Sequence, residues 1–161
     1  MSAWKNKHVV IATLMAPVLA LIAYFGVHHM LGEEPQVAEA GQSYQLVEKP
    51  NCRYGSGACG LKNSSFELTL THEWLGDSRM LLKLESIHPL DGVLLAMVEN
   101  ETDEGQPVEM QAITNDGLSW SLEMGRPDPD NNRLRLVASA GGALYFGDVS
   151  TKFTLERDSI D

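Results

Sequence analysis

The sequence is poor in positive charge. It contains 12 Lys and Arg residues against 22 Asp and Glu residues. Lys5 and Lys7 precede all of the acidic residues, so the rest of the chain carries 10 basic and 22 acidic side chains, a net charge of −12. Nucleic acids and anionic membrane surfaces are bound through clustered positive charge. The charge balance therefore excludes both as partners and leaves basic proteins or cations to consider.

The chain also lacks the short motifs that mark common catalytic and redox sites. It has no G-x-S-x-G nucleophile elbow, no H-E-x-x-H zinc motif, no C-x-x-C pair and no C-x-x-C-H haem attachment motif. We therefore predict that the protein is not an enzyme.

Cysteine is scarce as well, with 2 residues in the chain, Cys52 and Cys59. Both follow the apolar run described below, on the side predicted to be exported. Oxidising compartments favour disulfides, so we predict that these two residues form one. A thiol metal site or a redox pair is the alternative.

The longest uncharged run extends from Val9 to Val27. As a helix it would measure about 28 Å, close to the hydrocarbon thickness of a bilayer. Because Lys5 and Lys7 precede it, the positive-inside rule predicts a cytoplasmic tail at 1–8, a transmembrane helix at 9–29 and an exported remainder. A cleaved signal peptide is the alternative, with Ala38-Glu39-Ala40 as a candidate cleavage site. No lipobox-type Cys follows the run, which excludes a lipoprotein.

The pattern of apolar residues changes after the run. Residues 30–42 form a linker rich in Gly, Glu, Pro, Ala and Gln, and the domain at 43–161 alternates between apolar and polar residues. Single strands are expected over 43–48 and 93–98, the latter buried on both faces, and Asn115-Asp116-Gly117 predicts a hairpin turn. Roughly seven to nine short strands without a long helical period predict an antiparallel, immunoglobulin-like β-sandwich. A small barrel is the alternative fold.

A few side chains of this domain are candidates for a site. Soft thioethers and imidazoles bind Cu(I), so His72, Met80, His88 and Met124 form a candidate copper site. The alternative is that the histidines are ordinary turn residues and the methionines pack in the core. Trp74 lies near a predicted turn and is a candidate surface binding residue, whereas Trp120 alternates with Leu118 and Leu122 and is predicted to lie in the core.

The layout of one amino-terminal span, a short tether and alternating strands from Phe66 to Leu155 resembles the FixH/YtkA-like group of small bacterial membrane proteins. That resemblance implies a role in respiratory oxidase assembly or copper handling. The sequence departs from that role in having no clear Met/His copper cluster, and no functional residue carries over. We predict a single-pass protein of the bacterial inner membrane, anchored in the lipid bilayer through 9–29. Its periplasmic domain would bind or scaffold a protein partner in the envelope; a periplasmic copper chaperone is the alternative.

Overall fold

The computed structural model describes residues 7–31, 39–99, 102–103 and 105–155. Within the first range, side chains are described at positions 8, 10, 11 and 13–25. The chain divides into two compact units, Met1–Gln36 and Val37–Asp161. Most of the predicted amino-terminal tail and of the predicted linker lies outside the described residues.

The first unit consists of helix α1, Lys7–Leu31, which contains Pro17. The helix predicted over 9–29 is thus present, with two further residues at each end. Large apolar side chains described along it, such as Leu19 and Ile22, are exposed. In the part of the chain that the structure describes, no helix was found that is both long enough and apolar enough to cross a membrane.

The second unit is built from strands. Its described residues form β1 (Ser43–Gln45), β2 (Val47–Glu48), β3 (Ala58–Asn63), β4 (Phe66–Trp74), β5 (Arg79–Ser86), β6 (Gly92–Val98), β7 (Val108–Glu109), β8 (Gln111–Ala112), β9 (Ser119–Gly125), β10 (Arg133–Ala140) and β11 (Ala143–Ser150). Two short 3₁₀ turns, Pro50–Arg53 and Thr151–Thr154, accompany them.

The strands form two sheets. Sheet A has the order β1-β11-β10-β6-β7, and sheet B has the order β2-β3-β4-β5-β9-β8. Every neighbouring pair is antiparallel except β1 and β11, which run parallel. The inward side chains of both sheets pack into one core, so the prediction of a mainly β, sandwich-like fold is confirmed.

The single strand predicted over 43–48 is wrong. The chain changes sheet at Leu46, so β1 belongs to sheet A and β2 to sheet B. Leu46 is buried, and its N–H donates to the carbonyl of Phe146 at 2.7 Å. Burial of this one side chain between the sheets explains the break, because the strand has to turn to place it there.

The prediction that the strand at 93–98 is buried on both faces is wrong at Leu94 and correct beyond it. Val93 and Leu95 point into the core, but Leu94 between them is 45% exposed. None of the described elements of this unit covers the outer face of sheet A at Leu94. Ala96 and Val98 follow on that same outer face and are buried, with the backbone at Gly105 lying against both of them.

The hairpin turn predicted at Asn115-Asp116-Gly117 is present between β8 and β9. Gly117 has φ +71°, and a Cβ there would lie 2.7 Å from the carbonyl oxygen of Leu90, so only glycine fits. Trp120 follows in β9 and is buried, and its indole N–H donates to the Gly117 carbonyl at 3.0 Å. The prediction that Trp120 anchors the core is confirmed.

A disulfide joins Cys52 to Cys59, as predicted. It connects the 3₁₀ turn Pro50–Arg53 to β3, and both cysteines are fully buried. Because both sulfurs are bonded to each other, neither is available as a thiolate metal ligand in this state.

Candidate binding groove

The residues of the predicted copper site do not all come together. Met80 in β5 is paired with Met124 in β9 on one side and with Trp74 in β4 on the other. His72 lies two residues before Trp74, so these four side chains share the inner face of sheet B. His88 lies in the turn after β5, with its ring 6.0 Å from that of Phe66. The structure therefore places Met80 directly beside Met124, puts His72 on the same sheet face but two strands away from Met124, and separates His88 from them.

Met80 is fully buried. Within the described residues, no three His, Cys, Asp or Glu side chains come together as a metal site. A site on this face would therefore depend on thioether sulfur and one imidazole, a ligand set that suits Cu(I) rather than a hard cation.

Trp74, the predicted surface binding residue, is half-buried. The guanidinium carbon of Arg126 lies 4.3 Å from the centroid of its ring, and the ring of His72 packs against it edge-on at 5.0 Å. Such a cation–π contact covers one face of the indole. A ligand that stacked on this face would first have to displace Arg126.

The sandwich is open along one side, where two strands of two residues each, β7 and β8, end. β7 pairs with β6 only at Leu94 and Leu95, and β8 pairs with β9 only at Trp120 and Ser121. Met110, between β7 and β8, is buried where the chain turns from sheet A to sheet B. Beyond these short pairings, the remaining parts of β6 and β9 border a gap between the sheets.

That gap is a groove of about 290 Å³. It is lined by Leu95, Met97, Gln106, Val108, Leu122, Glu123 and Met124. The two methionines come from opposite sheets, and the lining is apolar except for Gln106 and Glu123. Methionine side chains are flexible and polarisable, so such a wall can adapt to differently shaped apolar groups.

Acidic residues follow β6, the strand that forms one wall of the groove. The sequence from 99 to 104, which follows β6, contains four acidic residues and no basic one. In the described part of the chain, Glu99 and Glu109 are exposed and take part in no ion pair. The backbone N–H groups of Gly105 and Glu99 hold the pKa of the Asp103 carboxyl below its usual value, which keeps that charge in place.

Gly105 brings this acidic loop onto β6. Its φ is +63°, and a Cβ there would lie 2.9 Å from Cγ1 of Val98 and 3.0 Å from the carbonyl oxygen of Met97. Only glycine permits so close an approach in this conformation. Val98 lies on the face of β6 opposite to the groove residues Leu95 and Met97, so the loop covers the end of β6 at its edge and on its outer face.

A second apolar surface lies on the outer face of sheet A. Leu94, Val137 and Phe146 occupy directly opposed positions on β6, β10 and β11, and all three are exposed. Glu109 is the next residue across from Leu94, so this row reaches β7, the strand that also borders the groove. The row and the groove meet at that strand.

The sequence does not reveal the groove. Met97 lies in an apolar run and is predicted to be a core residue, and it is half-buried because β7 is short. No local pattern reports how far β7 and β8 extend. The alternation of Val108, Met110 and Ala112 predicts one strand, whereas the chain changes sheet at the buried Met110 and forms β7 and β8 instead.

No protein-family model matches this sequence, and no curated protein is significantly similar to it. Among solved structures, the chain is similar to the Br derivative of BhCBM56, a carbohydrate-binding module. The identity is 9%, the TM-score is 0.41, and the match covers 54% of this chain and 89% of that chain. A likeness at this level carries no argument about function.

Proposed function

We propose that the protein is a membrane-anchored, extracytoplasmic binding module. Its β-sandwich recruits a protein partner in the cell envelope, as an assembly or scaffold factor would. The observation that carries the proposal is the open, methionine-lined groove of this acidic domain. Concave apolar surfaces with a few polar groups are the usual form of a binding site, and a groove at a sheet edge suits another protein.

The lining of the groove favours binding over catalysis. Glu123 is the one titratable side chain among the residues that line it, and that carboxylate is ion-paired with Arg79. General acid–base or nucleophilic catalysis needs at least two groups that act together on a substrate.

The anchor is α1, placed in the bacterial inner membrane with the amino terminus in the cytoplasm. The uncharged run from Val9 to Val27 and the exposed apolar side chains of α1 support this placement. The disulfide supports a compartment outside the cytoplasm, where such bonds persist. This part of the proposal rests on the sequence and on side-chain exposure, since none of the described helices met the requirements of a membrane span.

We further propose an immunoglobulin-like layout for the sandwich. The order β4-β5-β9-β8 follows the A-B-E-D order of that fold, and β6, β10 and β11 follow its C, F and G strands. In that arrangement β7 and β8 are the strands at one side of the sandwich, which is where the groove lies. The layout also agrees with the resemblance to the FixH/YtkA-like group.

Site-specific photo-crosslinking in cells of the source organism tests the binding function. Benzoylphenylalanine replaces Val108, an exposed residue of the groove wall, or Glu85, an exposed residue on the outer face of sheet B. One discrete membrane-fraction adduct from position 108, absent from position 85, is expected. Equal adducts from both positions, or none from either, would contradict the proposal.

A copper chaperone is the second candidate. The observation in its favour is the direct pairing of Met80 with Met124, with His72 on the same sheet face. Native mass spectrometry of the oxidised full chain with Cu(I) tests it, using Met124→Leu and, as the control, Met15→Leu in α1. A one-to-one adduct that only Met124→Leu abolishes would make copper binding the leading function. The absence of an adduct would remove this candidate.

A further inference from the structure

We infer that the partner binds as an extended peptide segment, which adds as a strand to the open edge of β9 and inserts apolar side chains into the groove. This inference rests on the proposed binding function and specifies how the same groove is used. It requires an unpaired strand edge, inward-facing apolar side chains beside it and a reason for the occupant to come from another protein.

The edge of β9 is open beyond its short pairing with β8. In β9, the carbonyl of Ser119 accepts from the N–H of Ile113 at 2.8 Å, on the side of β8. Backbone groups alternate in direction along a strand, so those of Glu123 and Gly125 point to the same side. β8 pairs with β9 no further than Ser121. In the described part of the structure, the N–H and C=O groups of Glu123 and Gly125 therefore have no strand opposite them.

Pairing with β5 does not use those groups. The N–H of Arg126 donates to the carbonyl of Ser78 at 2.9 Å, on the side of β5. By the same alternation, Leu122 and Met124 direct their backbone groups toward β5, and every residue of β9 has a register partner in that strand. A new strand could therefore add beside β9 without breaking any existing pair.

The other edge that borders the groove is covered. The backbone at Gly105 lies against Val98 and the carbonyl of Met97, so it already covers the edge of β6 at its carboxyl end. Strand addition is thus directed to β9 rather than to β6.

The side chains next to the open edge suit an alternating peptide. Leu122 and Met124 point into the groove and are half-buried. A strand beside β9 places every second side chain on that same face, with Cβ atoms about 5 Å from those of its neighbours. Two apolar side chains at alternate peptide positions would therefore enter the groove toward Met97.

The ends of the domain lie away from the groove. The chain enters sheet A at β1, the opposite edge from β7. At the other end, Leu155 packs on Gly55, where a Cβ would lie 2.7 Å from the Leu155 carbonyl oxygen. Gly55 precedes β3, which is separated from β9 by β4 and β5. The described ends of the domain, at β1 and at Leu155, therefore lie away from the groove.

Charge disfavours a second copy and favours a basic partner. Each copy carries a net charge of −12 beyond the first two lysines, so edge-to-edge pairing of two copies would be repulsive. Glu99 and Glu109 are free of ion pairs in the described residues; Glu99 follows β6, and Glu109 follows the groove residue Val108 in the chain. The occupant is therefore a segment with alternating apolar residues flanked by Lys or Arg.

Gly125 offers a matched pair of variants. Its φ lies outside the left-handed region, and a Cβ there would meet no atom within 4 Å, so Gly125→Ala should be well tolerated. Gly125→Pro replaces the edge-facing N–H with a ring that blocks strand addition. Proline also favours an extended residue before it, which Met124 already is. Both variants keep the groove side chains.

The full chain is screened against a phage-displayed library of random peptides about ten residues long. We expect enrichment of alternating apolar peptides with basic flanks on the wild type and on Gly125→Ala. The affinity of an enriched peptide, measured by isothermal titration calorimetry, should fall about tenfold or more for Gly125→Pro, because hydrogen bonds at the edge are lost. Failure to enrich such peptides on the wild type would overturn the inference.

A second measurement covers the case in which Gly125→Pro unfolds, which its thermal midpoint would report. The same peptide with alternate backbone amides N-methylated removes the bonds from the ligand side, and it should bind the wild type about tenfold more weakly. Unchanged affinity for either Gly125→Pro or the methylated peptide would overturn strand addition. Crosslinking from position 108 tests the binding function by itself, so a failure of strand addition can be distinguished from a failure of the binding function.

Discussion

The disulfide between Cys52 and Cys59 should contribute strongly to the stability of the sandwich. Its sequence separation is 7, and the chain-entropy relation for a loop of that size gives about 2.4 kcal/mol. Reducing the wild-type chain should therefore lower the free energy of unfolding by about 2.4 kcal/mol. The variant Cys52→Ala/Cys59→Ala also loses two fully buried sulfur atoms, which should cost about 1 kcal/mol more.

Without the disulfide, the structure around the 3₁₀ turn Pro50–Arg53 should open before the whole domain unfolds. The side-chain oxygen of Asn51 accepts from the N–H of Gly60 at 3.2 Å, and the N–H of Cys52 donates to the Lys49 carbonyl at 3.1 Å, so part of the turn keeps its contacts. The carboxyl-terminal 3₁₀ turn is attached beside it, because the N–H of Gly57 donates to the carbonyl of Phe153 at 3.0 Å. Hydrogen exchange should accelerate first at Gly57 and Gly60.

Urea unfolding of the oxidised, reduced and double-alanine forms measures how much loop closure and sulfur packing each contribute to the free energy of unfolding. The reduced form keeps both sulfur atoms, so its difference from the double-alanine variant isolates packing from loop closure. A loss below about 1 kcal/mol on reduction would refute the reasoning, because loop closure would then contribute little. Exchange that accelerates equally across β4, β5 and β9 would refute the local order of unfolding.

Three further predictions concern other parts of the chain. Gly105→Ala should lower the free energy of unfolding by about 2 kcal/mol, because it adds a clash with Val98 to backbone strain; Gly141→Ala, with φ +58° and no atom within 4 Å of its Cβ, should cost only about 1 kcal/mol in urea titrations. Hydrogen bonds from Thr114 and Leu118 lower the pKa of the Asp116 carboxyl below 3.8. The stability that the ionised carboxylate provides is therefore present above pH 3.8 and is lost as the pH falls through the pKa of the folded state. Asp116→Asn should remove this loss of stability in acid, measured as the unfolding midpoint from about pH 5 to about pH 2. The proposed anchor is tested by alkaline extraction of membranes: if α1 is the anchor, Leu19→Arg/Ile22→Arg should release the protein from the membrane pellet into the extract, whereas Ile87→Arg in the sandwich should not.

Strands were predictable where one face is buried and the other is polar. In β4, Phe66, Leu68 and Leu70 alternate with polar residues, and all three are buried as the period of two requires. In β6 the same rule fails, because an apolar residue at Leu94 faces solvent. Whether an apolar side chain is covered depends on the presence of another layer, which a local sequence pattern does not report.

The groove depends on residues that are distant in sequence. Met97 and Met124 lie on different sheets and meet only because β7 and β8 pair over two residues each. The disulfide was predictable because Cys52 and Cys59 are close in the chain and the compartment was inferred from the apolar run. A groove that forms where two strands end has no comparable signal in the local sequence.

The open edge of β9 and the acidic charge of the domain explain each other. An unpaired strand edge invites aggregation, and natural sheets protect such edges with charge or with covering loops. Here the loop at Gly105 covers β6, whereas β9 has only Glu123, ion-paired with Arg79, near its open end. Under the strand-addition proposal, the net charge of −12 would repel other copies of the chain and so leave the edge open in solution. The same charge attracts a basic strand, and raising the salt concentration should therefore weaken peptide binding while it increases self-association.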